Sequence, residues 1–209
     1  MVVVIDVFRA FTVSAYALAA GAERCLLVKT VEEARALHAN IPGSVVSAEV
    51  DGLPVPGIPL SNSPTAIAQC DLKGRVLVQR TSAGTQAVAA AKHSGTVFAA
   101  SLVVAKATVS KLQELNPPEA TLVASGQPDH LEDHACARYL EGLLDGERPD
   151  LEELLAPLKL SERYATLSSG GVPGFPATDV SLALDADRFD FAMPVLARES
   201  HYELVADRR

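Results

Sequence analysis

Charged and hydroxyl side chains collect where short apolar runs of this chain stop. The run "VVVIDV" (Val2 to Val7) carries Asp6 near its end, and Arg9 follows three residues later. "SVVSAEV" (Ser44 to Val50) closes on Glu49, and "RVLVQR" (Arg75 to Arg80) leads into Arg80, Thr81, Ser82, Gly84 and Thr85. "ATLVAS" (Ala120 to Ser125) gives way to Gly126, with Glu132 and Asp133 opening the next helical stretch. Open α/β sheets bind ligands beyond the carboxyl ends of their strands. With these strands parallel, the groups line one rim. Carboxylates, arginines and a hydroxyl/glycine turn facing one another suit a divalent cation beside an oxyanion. Glu49, in an apolar strand, needs a cation or a proton if it is buried.

The same residues have plainer readings. Asp6 can cap the helix that starts near Ala10, and Ser82 or Thr85 can be an N-cap. "SNSPTAIAQ" reads as a helix start, with Ser61 to Ser63 as cap candidates and Pro64 at the first helical position. Glu132 and Asp133 suit a helix dipole. "HLEDH" sets His130 and His134 four apart, but its acid stands third rather than second, so the zinc-peptidase pattern is absent. Surface histidines are the simpler reading.

The elements that must position these groups alternate. Strands are predicted at the runs above and at Arg24 to Lys29 and Thr96 to Ser101. Helices are predicted at Ala10 to Ala20, Val31 to Ala39, Thr85 to Lys92, Ala105 to Leu115 and Glu132 to Leu144. Val-rich, near-continuous strands between helices predict an α/β fold: three-layer, a mostly parallel sheet with helices on both faces, and a cleft at the strand C-terminal ends. Gly52 to Pro64 is a stiff Pro-rich loop over an edge or cleft. After Leu144 the alternation lapses into helical pieces and a Gly/Pro loop, and Phe189 to Leu196 is expected to return to the sheet. We expect one domain over 1–209, or two lobes at about 1–145 and 146–209.

At 209 residues, 48% hydrophobic and 21% charged, the composition is that of a globular protein. A net charge of −8 without a Lys/Arg cluster argues against nucleic acid as a partner. No apolar run reaches the roughly 20 residues of a membrane span, and the start lacks the basic segment of a signal peptide, which places the protein in the cytoplasm. Cys25, Cys70 and Cys136 are scattered, with no CxxC pair.

"IDVFRA" (Ile5 to Ala10), "NSP" (Asn62 to Pro64) behind a Glu-bearing strand, "RTSAGTQ" (Arg80 to Gln86), "EDHACARYLEGLL" (Glu132 to Leu144) and "DVSLALDADRFDFAMPV" (Asp179 to Val195) come in one order. In these, over almost its whole length, the chain resembles the Mg²⁺-dependent 2-phosphosulfolactate phosphatases of coenzyme M biosynthesis and their bacterial relatives. It departs from them where Phe11, Thr12 and Val13 follow Ala10, and where Arg80 opens the glycine turn. The resemblance implies hydrolysis of a phosphate monoester of a small anionic 2-hydroxy acid. It implies Asp6 and Glu49 near the metal, Arg9, Ser82, Gly84 and Thr85 on the phosphate with Arg80, Thr81 and Gly126 beside them, and Asn62 and Ser63 on the substrate. Glu132, Asp133 and Asp179 complete the acidic rim, Glu132 and Asp179 as further metal ligands, and either Asp133 or Asp6 serves as general base or as direct nucleophile. Asp187 lies in the last motif and also suits structural pairing. A homo-oligomer is compatible with all of this. The rivals are a haloacid-dehalogenase-like phosphatase, which lacks its second Asp because Phe8 stands there, a non-catalytic binder of an anionic metabolite, and a Rossmann enzyme, for which no G-x-G-x-x-G follows the first strand.

Overall fold

The computed structural model describes residues 1–208, Lys92 through its backbone alone. The Val-rich runs form strands β1 (Val2–Ile5), β2 (Arg24–Val28), β3 (Val45–Val50), β5 (Val76–Arg80), β6 (Val97–Ala100) and β7 (Thr121–Ala124), with a two-residue β4 (Leu53–Pro54) in the Pro-rich loop. Between them lie α1 (Ala10–Ala19), α2 (Val31–Asn40), α3 (Pro64–Ala68), α4 (Gly84–Ala90) and α5 (Ala105–Leu115). After β7 come α6 (Leu131–Leu144), α7 (Leu151–Lys159), α8 (Glu162–Ser168) and α9 (Thr178–Ala183), then β8 (Phe191–Ala197), β9 (Tyr202–Leu204) and β10 (Asp207–Arg208).

Local sequence explains the contrast between α1 and α2. No charged residue interrupts α1, so it is apolar on every side, and Ala10 to Leu18 are all buried. Glu32, Glu33, Arg35, His38 and Asn40 make half of α2 polar, and only Ala34 is buried. Thr30 and Glu33 close a capping box at its start.

The strand order is β4-β3-β5-β2-β9-β8-β6-β1-β7, with β10 paired to β8. Two parallel blocks, β3-β5-β2 and β6-β1-β7, flank a central antiparallel hairpin, β8–β9. The sheet is therefore mixed rather than mostly parallel. The expected return of the C-terminal run occurs, but as a hairpin closed by Arg198 N–H on His201 O at 2.9 Å. Its second strand, Tyr-Glu-Leu, is too short to announce itself in sequence. Three antiparallel pairings (β6–β8, β8–β9, β9–β2) reverse one block relative to the other. Twist offsets that reversal: five steps from β1 to β5 at roughly 20–25° each turn the strands by about 100–125°. The carboxyl ends of β1 and β5 thus approach one another around α1.

Both faces of β1 are covered, as its sequence requires. Val4 packs in a cluster with Phe11, Val13 and Leu18 of α1. Val3 and Ile5 point the other way, into a cluster with Val109 and Leu112 of α5 and Ala135, Cys136 and Leu140 of α6. A third cluster joins Leu26, Val28, Val46, Val76 and Val78 to Ala34. Asp187 accepts from Lys106 N at 2.9 Å and from the Tyr139 hydroxyl at 2.7 Å, which is the structural pairing. No helix among the described residues is long and apolar enough to cross a membrane.

Candidate active site

The ends of β1, β3, β5 and β7 open into one cavity of about 700 Å³. Asp6, Arg9, Glu49, Asn62, Ser82 and Gly126 line it. Asp6 is the first residue past β1; its N–H still reaches Ala100 O at 3.1 Å. Its Oδ1 accepts from Ala10 N at 2.8 Å and so caps α1, while Oδ2 receives a long 3.4 Å contact from the Ser125 hydroxyl. Burial pushes the Asp6 carboxyl up to about 6; Glu132 and Glu49 add to the rise, and the N–H groups of Ala10 and Gly84 oppose it. Gly84 has to be glycine. A Cβ there would lie 2.7 Å from Asp6 Oδ2 and 2.7 Å from Ala10 Cβ.

Asp133 stands behind this rim. Its Oδ1 accepts from Val7 N at 2.7 Å and its Oδ2 from Gly126 N at 3.2 Å, tying the turns after β1 and β7 together. Burial, then the Asp6 charge, holds its carboxyl well above the usual carboxylate range. Its neighbour Glu132 has a fully buried side chain. Oε1 accepts from Arg163 Nη2 at 3.0 Å, whereas Oε2 is buried with no hydrogen-bond partner among the described residues.

Glu49 and Asp179 are satisfied by contrast. Glu49 Oε1 accepts from Ser82 N at 2.5 Å, and Oε2 from Gly52 N at 2.7 Å and the Ser82 hydroxyl at 3.1 Å. Asp179 Oδ2 takes Arg9 Nη1 at 2.8 Å, and its Oδ1 takes the Ser63 hydroxyl at 2.7 Å and Thr65 N at 3.0 Å. Arg9 also donates to Gly174 O at 2.5 Å and lies 4.1 Å over the Phe175 ring. Its head group is buried and fixed.

Several hydroxyls serve the frame. Thr85 Oγ1 donates to Thr81 O at 2.7 Å, and Thr81 Oγ1 accepts from Thr85 N at 3.1 Å, so the two threonines lock the β5–α4 turn. Arg80 braces β5 to its neighbours through Lys29 O and Glu49 O. Ser63 caps α3 through Ala66 N. Ser63, Arg80, Thr81, Gly84, Thr85, Glu132, Asp133 and Asp179 stand behind the cavity wall rather than on it. Asn62 is on it: Gln79 Nε2 holds its Oδ1 at 3.0 Å, which leaves the amide NH₂ for the cavity.

Sequence reasoning passed over Arg163, Gln127, Phe8 and Phe175, all on the wall, and treated His130 as a surface residue. His130 precedes α6, as expected. Burial, then the Arg163 charge, lowers its pKa. Arg163 sits in a helix of ordinary composition, where no local signal marks it.

The fold and cavity together define an α/β protein whose strand ends gather buried carboxylates and two guanidinium groups. A family model described as 2-phosphosulpholactate phosphatase matches residues 1–167. The chain belongs to that family. The match stops short of Asp179 to Val195, the last stretch of the resemblance read from sequence. A "Probable 2-phosphosulfolactate phosphatase" of Bacillus subtilis (strain 168) is 34% identical over 145 residues, 69% of this chain and 64% of that protein. One of Carboxydothermus hydrogenoformans is 40% identical over 145 residues, 68% of this chain and 60% of that protein. One of Clostridium acetobutylicum is 28% identical over 176 residues, 83% of this chain and 74% of that protein. The chain thus spans less than two thirds of the first two relatives' length.

Proposed function

We propose that the protein is a Mg²⁺-dependent phosphatase acting on the phosphate monoester of a small anionic 2-hydroxy acid, 2-phosphosulfolactate or a close analogue, giving sulfolactate and phosphate. The names carried by its relatives support the substrate class. The observation that carries the reading is the pair Asp6 and Glu132. One has its carboxyl driven up to about 6 by burial, and the other has a buried oxygen with no partner among the described residues. Both conditions are relieved by a cation.

The residues present fit Mg²⁺. That ion takes oxygen ligands and is commonly held by one or two carboxylates, with water and substrate phosphate supplying the rest. No group of three His, Cys, Asp or Glu side chains forms a ready cage among the described residues, so a two-carboxylate site is the appropriate comparison. Asp6 and Glu132 would hold the ion, with Glu49 across the cavity. Asp179, its oxygens already engaged, serves as the counter-ion of Arg9 rather than as a ligand. When bound, the ion polarises phosphoryl oxygens and assists ionisation of water.

The chain's own groups supply the remainder. Arg9, immobilised by Asp179, Gly174 and Phe175, presents a fixed positive charge to the anionic, loosely bonded transition state. The Asn62 amide orients phosphoryl or acid oxygens, while the Gly84 N–H steadies the Asp6 carboxylate. Arg163 adds a second guanidinium for a further anionic group of the substrate. Asp133 acts through position, because both its oxygens hold backbone N–H groups. The test is phosphate release from 2-phosphosulfolactate with Mg²⁺ and with EDTA, in the wild type and in Asp6→Asn. Equal release in EDTA, or full release by the variant, overturns the proposal. A thermal shift on adding the ester without phosphate release would favour a binding protein.

A further inference from the structure

Among the described residues β7 is the last strand of the sheet and has a neighbour on one side only. Thr121 N bonds Met1 O at 2.9 Å and Ser125 N bonds Ile5 O at 3.0 Å, so the odd-numbered residues face β1. The N–H and C=O groups of Leu122 and Ala124 therefore point outward. Within this four-residue strand neither a Pro nor a charged residue blocks pairing at the edge; its shortness is its one protection. Beside it runs α6, packed over β1 and β7, with an exposed stripe at helical spacing: His134, Arg138, Glu141 and Asp145. The first two are basic or can become so, and the last two are acidic. None of the four makes an ion pair with another described residue.

We infer that this edge is the interface of a symmetric dimer in which a second copy of the chain docks β7 against β7 and α6 against α6. A two-fold axis perpendicular to the sheet makes both pairs antiparallel and leaves the two helices on one face. Leu122 of each copy then exchanges hydrogen bonds with Ala124 of the other. With strands about 4.8 Å apart and each helix seated over β1 and β7, the helix axes fall about 10 Å apart, the normal packing distance. The charges complement each other under this operation. Arg138 opposite Glu141, and His134 opposite Asp145, share one midpoint on α6, so a single axis satisfies both pairs. Ala137, between them, permits close approach. The inference is independent of the phosphatase reading, since none of these residues lines the cavity.

Sedimentation velocity on the full chain tests it. The wild type is expected at twice the 22.0 kDa chain mass. Arg138→Glu and Glu141→Arg should each raise the dimer dissociation constant at least about tenfold, and the double variant should restore it, because the swapped charges pair again. Amide exchange at Leu122 and Ala124 should be slow in the dimer and fast in the single variants. A monomeric wild type at tens of micromolar, single variants that dimerise as well as the wild type, or a double variant that stays monomeric would each overturn the assignment.

Discussion

At the α9 end of the cavity, Asp179 gives one oxygen to Arg9 at 2.8 Å and the other to Ser63 and Thr65. Behind the β1 rim and off the cavity wall, Glu132 uses one oxygen on Arg163 and leaves the other buried and without a partner among the described residues; its charge adds to the burial that holds the Asp6 carboxyl near 6. Both regions are acidic, buried and close to an arginine, yet they do opposite work. A carboxylate whose lone pairs are all met is a girder that holds a cation-bearing side chain in place. A carboxylate left short of partners costs free energy unless something positive arrives. Count of acids does not distinguish the two; the hydrogen bonds around each do.

The contrast predicts that the girder fails hardest when cut. Asp179→Ala leaves the Arg9 guanidinium buried with only Gly174 O and the Phe175 face. Breaking a buried ion pair in this way costs about 3–5 kcal/mol, to be read from denaturant unfolding. Asp6→Asn should behave differently. It should fold, and it should lose phosphate release by about a hundredfold or more, since it removes charge where the transition state needs it. Similar unfolding curves for Asp179→Ala and the wild type, or similar activity for Asp6→Asn and the wild type, would erase the distinction between the two regions.

Glu132→Gln sharpens the comparison further. Its amide keeps the shape of the side chain but removes the charge and one acceptor. The Mg²⁺ concentration for half-maximal activity should rise about 10–100-fold, the range typical of losing a supporting metal contact. Metal-free stability should fall little, because the unpartnered charge disappears with the pairing to Arg163. A large loss of metal-free stability with unchanged Mg²⁺ demand would make Glu132 another girder.

How much of this is legible from sequence follows the same division. Runs such as Val2–Ile5 and Val76–Arg80 are marked by Val content, and the polar residues that end them, Asp6, Glu49 and Ser82, do reach the cavity. Whether an acid is satisfied is not marked, because its partners come from remote segments: Arg163 for Glu132, and Ser63 for Asp179. Thr81 and Thr85 resemble anion ligands in a Ser/Gly turn, and they bond each other instead. The hairpin β8–β9 is hidden for a related reason. Tyr202–Leu204 is a strand only because Cys25 to Leu27 and Val195 to Ala197 lie on either side of it. Short strands placed by neighbours carry no periodic signal of their own.

The smallest expected effect concerns pH, and its sign separates the regions once more. In the unfolded chain Asp6 ionises near 3.8, and in the metal-free fold near 6. Its stabilising, protonated form is fully present below the lower value and is lost as pH rises through the upper one. Asp133, raised in the same direction, adds to the trend. The melting temperature of the metal-free protein should therefore climb as pH drops from about 6 toward about 5, by roughly 2–4 °C for each kcal/mol regained in a chain of this size. Mg²⁺ favours the ionised carboxylates, so its own thermal shift should be larger near pH 7.5 than near pH 5. Asp6→Asn should flatten both dependences, whereas Asp179→Asn should lower the melting temperature at every pH and leave the slopes alone. Parallel pH curves with and without Mg²⁺ would mean that the β1 rim carries no unmet charge, and that the two ends of the cavity are girders of one kind.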